Sequence, residues 1–217
     1  VEINLEGSAG QSLGAFGIRG LKLNVTGDAN DYVGKGLSGA TIVIKPPIES
    51  NLVSSENTII GNTVLYGATS GKLFAAGQSG ERFAVRNSGA EAVIEGCDSN
   101  GCEYMTGGSV VILGKIGDNF AAGMTGGMAF IYDPDQEFEN YVNSSSVTWQ
   151  IPETDYWKDY LKKLIDEHYK VTQSKIAYKI LKNYNDEVGN FKQVCPKEML
   201  DKLSNPLSLK TKISKAV

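Results

Sequence analysis

The run Gly34-Lys-Gly-Leu-Ser-Gly39 has the G-x-G-x-x-G spacing of dinucleotide-binding loops. In those loops the glycines let the backbone approach a pyrophosphate, which the N-terminal amides of the following helix then bind. Here the run precedes Thr41-Ile-Val-Ile44 and two prolines, a pattern that predicts a short strand and no helix. We therefore interpret these glycines as part of a structural repeat.

The chain has few histidine and cysteine residues that could act as nucleophiles, bases or metal ligands. His168 is the only histidine, and the three cysteines are Cys97, Cys102 and Cys195. Cys97 and Cys102 lack the C-x-x-C spacing of redox pairs. A Ser-His-Asp or Cys-His arrangement would have to use His168, and a zinc ion would find no other imidazole. We expect a packing or surface histidine, free thiols, and no catalytic, cofactor-binding or metal-binding residue in this chain.

A group of acidic and basic residues in neighbouring repeats supports one enzymatic alternative. The group contains Glu81, Arg82, Arg86, Glu91, Glu95, Asp98 and Glu103. Stacked repeats can align such side chains on one outer face, as in solenoid lyases and hydrolases that cleave acidic polysaccharides. The other interpretation is a solvated or interdomain face that carries ion pairs, and we favour it because no carboxylate pair across a groove can be identified.

Composition excludes several classes of protein. The 217 residues include 21 Lys and Arg against 25 Asp and Glu, for a formal charge of −4. Nothing here resembles a basic nucleic-acid surface, and no run of about 18 apolar residues is present to span a membrane. The odd cysteine number, without a signal-peptide pattern, favours a reducing, cytoplasmic compartment, with a plastid or other organelle left open. Because the chain begins at Val1, we expect it to be part of a longer protein.

Short apolar runs recur, and each follows a glycine. They occupy residues 20–25, 39–44, 71–76, 89–94, 108–113 and 127–132. Their first residues are Gly20, Gly39, Gly71, Gly89, Gly108 and Gly127, separated by 19, 32, 18, 19 and 19 residues. The long interval contains a polar insertion at residues 46–57. We predict that these glycines are structural, at corners that need positive φ or close backbone approach.

Strands this short, repeated about every 19 residues, are stable only when each coil pairs with the coils above and below it. The sequence therefore predicts a mainly β protein, a right-handed parallel β-helix with one main strand per coil, over residues 1–132. The tail differs, since 24 of the 25 glycines precede residue 133. We predict a linker at 133–154 and a helical tail at 155–217, with one amphipathic helix from Asp155, a second capped by Ser174, and a last helical turn after Pro196.

In their order and spacing, several blocks resemble the C-terminal domain of the glutamate synthase large subunit. The blocks are residues 7–12, 27–39, 61–71, 80–89, 101–108 and 119–127, followed by tail residues 167–168, 172–175, 177 and 191–196. This resemblance implies a β-helix domain without catalytic residues. In that family, other domains release ammonia from glutamine and use it, with FMN and an iron-sulfur cluster, to convert 2-oxoglutarate to glutamate.

The resemblance gives the main functional hypothesis, a non-catalytic structural domain that is inactive by itself. Its implied partners are the amidotransferase and synthase domains or subunits, and possible reductase subunits, with no nucleic acid and no membrane. FMN and the iron-sulfur cluster would belong to the remainder of the enzyme. Two alternatives stay open, a free β-helix subunit of a split glutamate synthase and, less favoured, the polysaccharide enzyme. The sequence leaves the electron donor and the oligomeric state undecided.

Overall fold

The computed structural model describes residues 1–208 and is mostly β. Its strands are β1 Glu2–Ala9, β2 Lys22–Ala29, β3 Ser38–Lys45, β4 Thr58–Ile60, β5 Ser70–Ala75, β6 Gln78–Ser79, β7 Ser88–Ile94, β8 Thr106–Ile112, β9 Gly126–Tyr132, β10 Val147–Gln150 and β11 Phe191–Pro196. The helices are α1 Asp155–Thr172, α2 Lys175–Lys182 and α3 Tyr184–Glu187. Residues 209–217, which the sequence analysis assigned to the helical tail, lie outside the described residues.

The strands stack as a parallel solenoid of about seven coils, which confirms the predicted fold. The main sheet runs β1-β2-β3-β5-β7-β8-β9, all in parallel, and β4 and β6 form a short second ladder beside it. Each of the six apolar runs forms one of these strands. Residues 46–57, the predicted insertion, connect β3 to β4 and leave the stacking of the coils intact.

From β3 to β9, the C-terminal halves of the strands are largely buried on both faces of the sheet, which explains why these halves are apolar without alternation. β1 is exposed, and the first residues of β2 alternate between half-buried and buried. The side chains that face the interior stack in ladders, for example Leu23, Ile42, Leu73, Ala92, Val110 and Ala129. The opposite face carries a second ladder of Val43, Phe74, Val93, Val111 and Phe130, which belongs to one hydrophobic cluster with α1 and α2.

The two long helices lie on that outer ladder. The apolar stripe of α1 contributes Leu161, Leu164 and Ile165 to this cluster. The ring of Trp157 lies 6.2 Å from that of Phe130. Helix α2 begins after Ser174, whose hydroxyl accepts a hydrogen bond of 3.1 Å from the Ala177 amide, so the predicted cap is confirmed. No helix in residues 1–208 has the length and apolar character needed to cross a membrane.

The sequence analysis missed two strands in the tail. β11 pairs antiparallel with β9, and β10 pairs antiparallel with β11, so both extend the main sheet beyond the last coil. Residues 133–154, predicted as a linker, thus contain a strand and also the buried side chain of Phe138. The expected turn after Pro196 is a 3₁₀ turn, Lys197–Met199. β11 is stabilised by tertiary pairing with the free edge of β9, and the local sequence pattern does not predict this pairing.

Candidate functional site

The six predicted repeat glycines lie at or beside the starts of strands, and their backbone geometry differs. Gly20, Gly39, Gly71, Gly108 and Gly127 have φ between +83° and +114°, where side chains are disfavoured. Gly89 is outside that region, but a Cβ there would collide with the Thr69 carbonyl oxygen of the preceding coil. A Cβ on Gly20 would meet open space, so only its φ favours glycine.

A second set of corner residues was not predicted. In six successive coils, three residues at alternate positions are left-handed: 12, 14 and 16; 32, 34 and 36; 63, 65 and 67; 82, 84 and 86; 100, 102 and 104; and 119, 121 and 123. The amides of the middle residues donate to the preceding coil, as from Leu65 to the Val33 carbonyl at 2.8 Å and from Ala84 to the Val64 carbonyl at 2.9 Å. These corners therefore pair from coil to coil as strands do.

Gly34 and Gly36 of the G-x-G-x-x-G run occupy two of these left-handed positions, each with φ of +63°. The run leads into β3 and not into a helix, so it lacks the geometry that binds a pyrophosphate. Glycine at alternate positions was the sequence signal that could have predicted the corner motif. Most coils lack this signal, because non-glycine residues such as Arg82 and Tyr104 adopt the left-handed conformation there.

The predicted acidic and basic group does not share one face. Glu81, Arg82, Arg86 and Glu103 lie in the corners. Glu91 lies under α1, where it accepts a hydrogen bond of 2.7 Å from the Tyr160 hydroxyl and forms an ion pair of 3.2 Å with Lys72. Asp98 caps its own turn by accepting from the Ser99 amide at 2.7 Å. Glu95 is fully buried. The groove that a polysaccharide enzyme would need from these residues is not assembled.

The corners do form a shallow polar depression of about 580 Å³. It is lined by Asp31, Tyr32, Lys35, Asn62, Thr63, Tyr66, Glu81 and Arg82. Its polar groups are used in stacking, since Asp31 Oδ1 accepts from the Asn62 amide and Asn62 Oδ1 accepts from the Glu81 amide, each at 2.8 Å. This depression has no pair of free carboxylates positioned for acid-base catalysis.

Beneath the helices, one carboxylate contacts both of them. Glu95, which directly follows β7, is 2.5 Å from the Ser174 hydroxyl and 3.6 Å from His168 Nε2. All three side chains are buried, and the other carboxylate oxygen of Glu95 has no hydrogen-bond partner. Because all three are buried and contact one another across elements, their arrangement fits a packing contact between the solenoid and its helices. The histidine is a packing residue, as expected.

The three cysteines are free and buried. Burial raises the pKa of the Cys97 thiol to about 12, that of Cys195 to about 11, and that of Cys102 well above its usual value. Thiols with raised pKa values are poor nucleophiles and poor metal ligands at neutral pH. Within residues 1–208, no group of three or more His, Cys, Asp or Glu residues is arranged to hold a metal ion.

Stacked coils, buried ladders and polar groups that hydrogen-bond from coil to coil define a class of protein, the parallel β-helix module. Residues 1–197 match the GXGXG motif family, and the chain belongs to that family.

Its relatives are much longer proteins. The chain is 62% identical to the glutamate synthase [NADPH] large chain of Azospirillum brasilense over 214 aligned residues. The aligned region covers 99% of this chain and 14% of that relative. It is 52% identical over 196 residues to the ferredoxin-dependent glutamate synthase of Pyropia yezoensis, covering 90% and 13% of the two. It is 50% identical over 198 residues to the glutamate synthase [NADH] of Schizosaccharomyces pombe, covering 91% and 9%. The chain therefore spans only about a seventh of the first of these relatives.

Proposed function

We propose that this chain is the β-helix module of a glutamate synthase large chain and performs no chemical step itself. One observation carries the proposal, its 62% identity, over nearly its whole length, to a small part of a glutamate synthase large chain. Its role would be to hold the amidotransferase domain, which releases ammonia from glutamine, at a fixed distance from the synthase domain, which uses that ammonia to convert 2-oxoglutarate to glutamate.

The geometry supports a rigid spacer. From β3 to β9 the main sheet is packed on both faces, and the corners pair from coil to coil, so bending this part of the solenoid would break hydrogen bonds and buried contacts together. Ammonia passed between two sites is lost to solvent if the distance between them varies. A stiff element that sets this distance fits that requirement.

The implied iron-sulfur cluster does not fit the cysteines of this chain. Its three cysteines are buried with raised pKa values, whereas a cluster requires several thiolates directed at one centre. We therefore assign the cluster to the remainder of the enzyme, and FMN with it, as the family resemblance implies.

The proposal is tested by measuring how well two reactions are coupled in the enzyme from the source cell. The readout is the ratio of glutamine hydrolysed to glutamate formed from 2-oxoglutarate. In an enzyme carrying Gly108→Val, we expect glutamine hydrolysis to continue while glutamate formation falls, because the spacer is distorted. Glu81→Gln, at an exposed corner, is the matched control and should leave the ratio unchanged.

An antibody against this chain distinguishes the two forms of the proposal. A band of the source-cell lysate much larger than 23.3 kDa indicates a domain, and a band at that mass indicates a separate subunit of a split enzyme. Unchanged coupling in a variant whose β-helix is shown to be distorted would overturn the spacer role. Cleavage of acidic polysaccharide by the chain alone would overturn the whole proposal. A cytoplasmic location remains part of this proposal and is checked by fractionating the same cells.

A further inference from the structure

The interface between the solenoid and its helical tail contains two buried ionisable side chains whose hydrogen bonds are incomplete. Glu95, directly after β7, and His168, in α1, are both fully buried. Within residues 1–208, Glu95 Oε2 and both ring nitrogens of His168 have no hydrogen-bond partner. Nearly all buried polar atoms in folded proteins are paired, so three unpaired atoms on two neighbouring side chains require a physical explanation.

An ionised Glu95 beside a neutral His168 would leave a full negative charge buried at this site, which is energetically costly. The Ser174 hydroxyl donates to Glu95 Oε1 at 2.5 Å, and the N-terminus of α2 contributes about half an elementary positive charge. Together they balance only part of the carboxylate charge. His168 Nε2 is 3.6 Å from the same oxygen, so a proton on this ring would supply the remaining charge at close range.

The charged side chains around this site do not balance Glu95. On the surrounding elements they are Lys45 on β3, Lys72 on β5, Glu91 on β7, Lys115 after β8, Asp166, Glu167 and Lys170 on α1, and Lys175 on α2. In the described part of the chain, none of them forms an ion pair with Glu95 or His168. Lys72 pairs with Glu91 and Glu167. Of the other lysines, one donates to a backbone carbonyl and three are exposed.

We propose that Glu95 and His168 bind one proton between them at neutral pH and that this shared proton fastens the helical tail to the solenoid. The proton belongs to the pair, because two ionisable groups in close contact titrate together. With one proton the pair is neutral overall, whether the proton lies on the ring or on the carboxylate. Loss of that proton, or gain of a second, places an unbalanced charge beneath α1 and α2 and weakens their attachment. The proposal concerns the fold of this chain and does not rest on the proposed function.

Solvent comes within one side chain of the pair. Ser174, whose hydroxyl contacts Glu95, also lines a depression of about 340 Å³ between the insertion and the turn that joins α1 to α2. The insertion contributes Pro46, Pro47 and Ile48 to its lining. A small local opening at Ser174 therefore suffices for a proton to exchange with solvent, while the pair stays buried in the native chain.

Stability should depend on pH because the folded and unfolded chains bind different numbers of protons. In the unfolded chain, a histidine releases its proton at about pH 6.5 and a glutamate at about pH 4.3. Above about pH 6.5 the folded pair therefore holds one proton more, and the unfolding equilibrium constant rises by up to about tenfold per pH unit. Between these two values both states hold one proton, so the pair adds no pH dependence. Below about pH 4.3 the unfolded chain binds the second proton, and stability falls again as pH drops.

Urea unfolding of the parent chain and of Glu95→Gln measures this proton. Glutamine keeps the shape of the side chain and binds no proton, and the cysteines release protons in the unfolded state of both chains, so the ratio of their unfolding equilibrium constants isolates the pair. From about pH 6.5 to about pH 8.5, we expect the constant of the parent to rise at least about tenfold relative to that of the variant. Glu81→Gln, at an exposed corner, is the matched control and should keep a constant ratio to the parent. A constant ratio for Glu95→Gln would mean that the folded pair binds no proton, which overturns the proposal.

Nuclear magnetic resonance detects the proton without any variant. His168 is the only histidine, so its ring nitrogens give the only imidazole signals of the chain. An imidazolium at about pH 7, or a neutral ring together with one protonated glutamate carboxyl group, would support the proposal. A neutral ring with every glutamate ionised would overturn it, and is the result expected if a buried water molecule satisfies the unpaired atoms instead.

Hydrogen exchange shows whether the proton acts on the tail. After correction for the intrinsic effect of pH, we expect the α1 and α2 amides of the parent to open at least about tenfold more often at about pH 8.5 than at about pH 6.5. Amides of the interior strand β8 should change less, and Glu95→Gln should show no such increase in the helices. An equal increase in α1, α2 and β8 of the parent would mean that the proton stabilises the whole chain at once, which overturns its specific role in the tail.

Discussion

Glu95 Oε1 accepts a hydrogen bond of 2.5 Å from the Ser174 hydroxyl, across 79 residues of sequence. Ser174 also caps α2 by accepting from the Ala177 amide. The carboxylate therefore lies at the N-terminus of that helix, where the helix dipole favours a negative charge. The same carboxylate oxygen is 3.6 Å from His168 Nε2 in α1, so one buried side chain of the solenoid contacts both helices where they meet.

We predict that Glu95→Ala destabilises the chain by about 1–3 kcal/mol, because the Ser174 hydroxyl loses its buried hydrogen-bond acceptor. Urea unfolding at neutral pH measures the change. Glu95→Gln keeps an acceptor oxygen and should lose less. Glu81→Ala removes an exposed carboxylate and is the control. A Glu95→Ala variant as stable as the Glu81→Ala control would mean that this contact contributes nothing to stability.

The contact illustrates what the sequence could and could not predict. The period of apolar runs predicts the coils because every coil buries apolar side chains at the same positions. Ser174 is recognisable as a helix cap because capping depends only on residues nearby in the sequence. Glu95 falls among other acidic residues at similar spacing, and only the position of α1 and α2 distinguishes it from exposed Glu81. Tertiary contacts of this kind leave no periodic signal in one sequence.

The second prediction concerns glycine at the corners. Gly108 has φ of +83°, and a Cβ there would collide with the Ala90 carbonyl oxygen. We expect Gly108→Ala to cost about 3 kcal/mol or more, since left-handed backbone and steric overlap add. Gly10→Ala is the control, because that glycine lacks a positive φ and has nothing within 4 Å of the added carbon. Circular dichroism during thermal unfolding compares the two, and equal midpoints would refute the steric assignment.

The left-handed corners also show why the spacing of glycines predicted too few residues with positive φ. Sequence analysis treats glycine as the sign of positive φ, but Arg82, Ala84 and Arg86 adopt it in a single corner. Each such residue carries a local cost of about 1–2 kcal/mol. Hydrogen bonds to both neighbouring coils offset that cost, and they exist only once the coils are stacked. A rule based on local preference therefore finds the second corner, with Gly34 and Gly36, and misses the fourth.

The third prediction tests how the helices are held. Leu164 of α1 is fully buried against the outer ladder of the sheet. We expect Leu164→Ala to destabilise the chain by about 2–5 kcal/mol, through lost apolar burial and the cavity left behind. Leu200→Ala, at a position 39% exposed, is the matched control and should change little. Urea titration followed by tryptophan fluorescence reports on Trp157 in the same helix. Equal losses for the two variants would show that α1 does not depend on this packing.

The fourth prediction concerns the thiols. Because Cys97, Cys102 and Cys195 are buried with raised pKa values, we expect the native chain to react with a disulfide reagent at about pH 8 far more slowly than free cysteine does. In denaturant, all three thiols should react at the rate of free cysteine. Spectrophotometric thiol counting gives both rates. A thiol that reacts rapidly in the native chain would contradict the burial of that residue.

The last prediction is a loss of stability at alkaline pH. Burial raises the pKa of Tyr184, with Asp159 adding to the effect, and the Tyr184 hydroxyl donates a hydrogen bond of 2.6 Å to the Lys158 carbonyl. Below about pH 10 the phenol keeps its proton in both the folded and the unfolded chain, so it adds no pH dependence. Above that value the unfolded chain releases the proton first, and the free energy of unfolding must fall as pH rises.

Tyr184→Phe separates this effect from other alkaline changes. At neutral pH the variant should be less stable by about 1 kcal/mol, because the hydrogen bond to the Lys158 carbonyl is lost. Between about pH 10 and pH 11 the difference should shrink, since phenylalanine has no proton to release in the unfolded state. Tyr156→Phe, at a side chain 49% exposed, is the control. Urea unfolding across this pH range gives the differences, and a constant gap between parent and Tyr184→Phe would show that the folded state does not hold this proton more tightly.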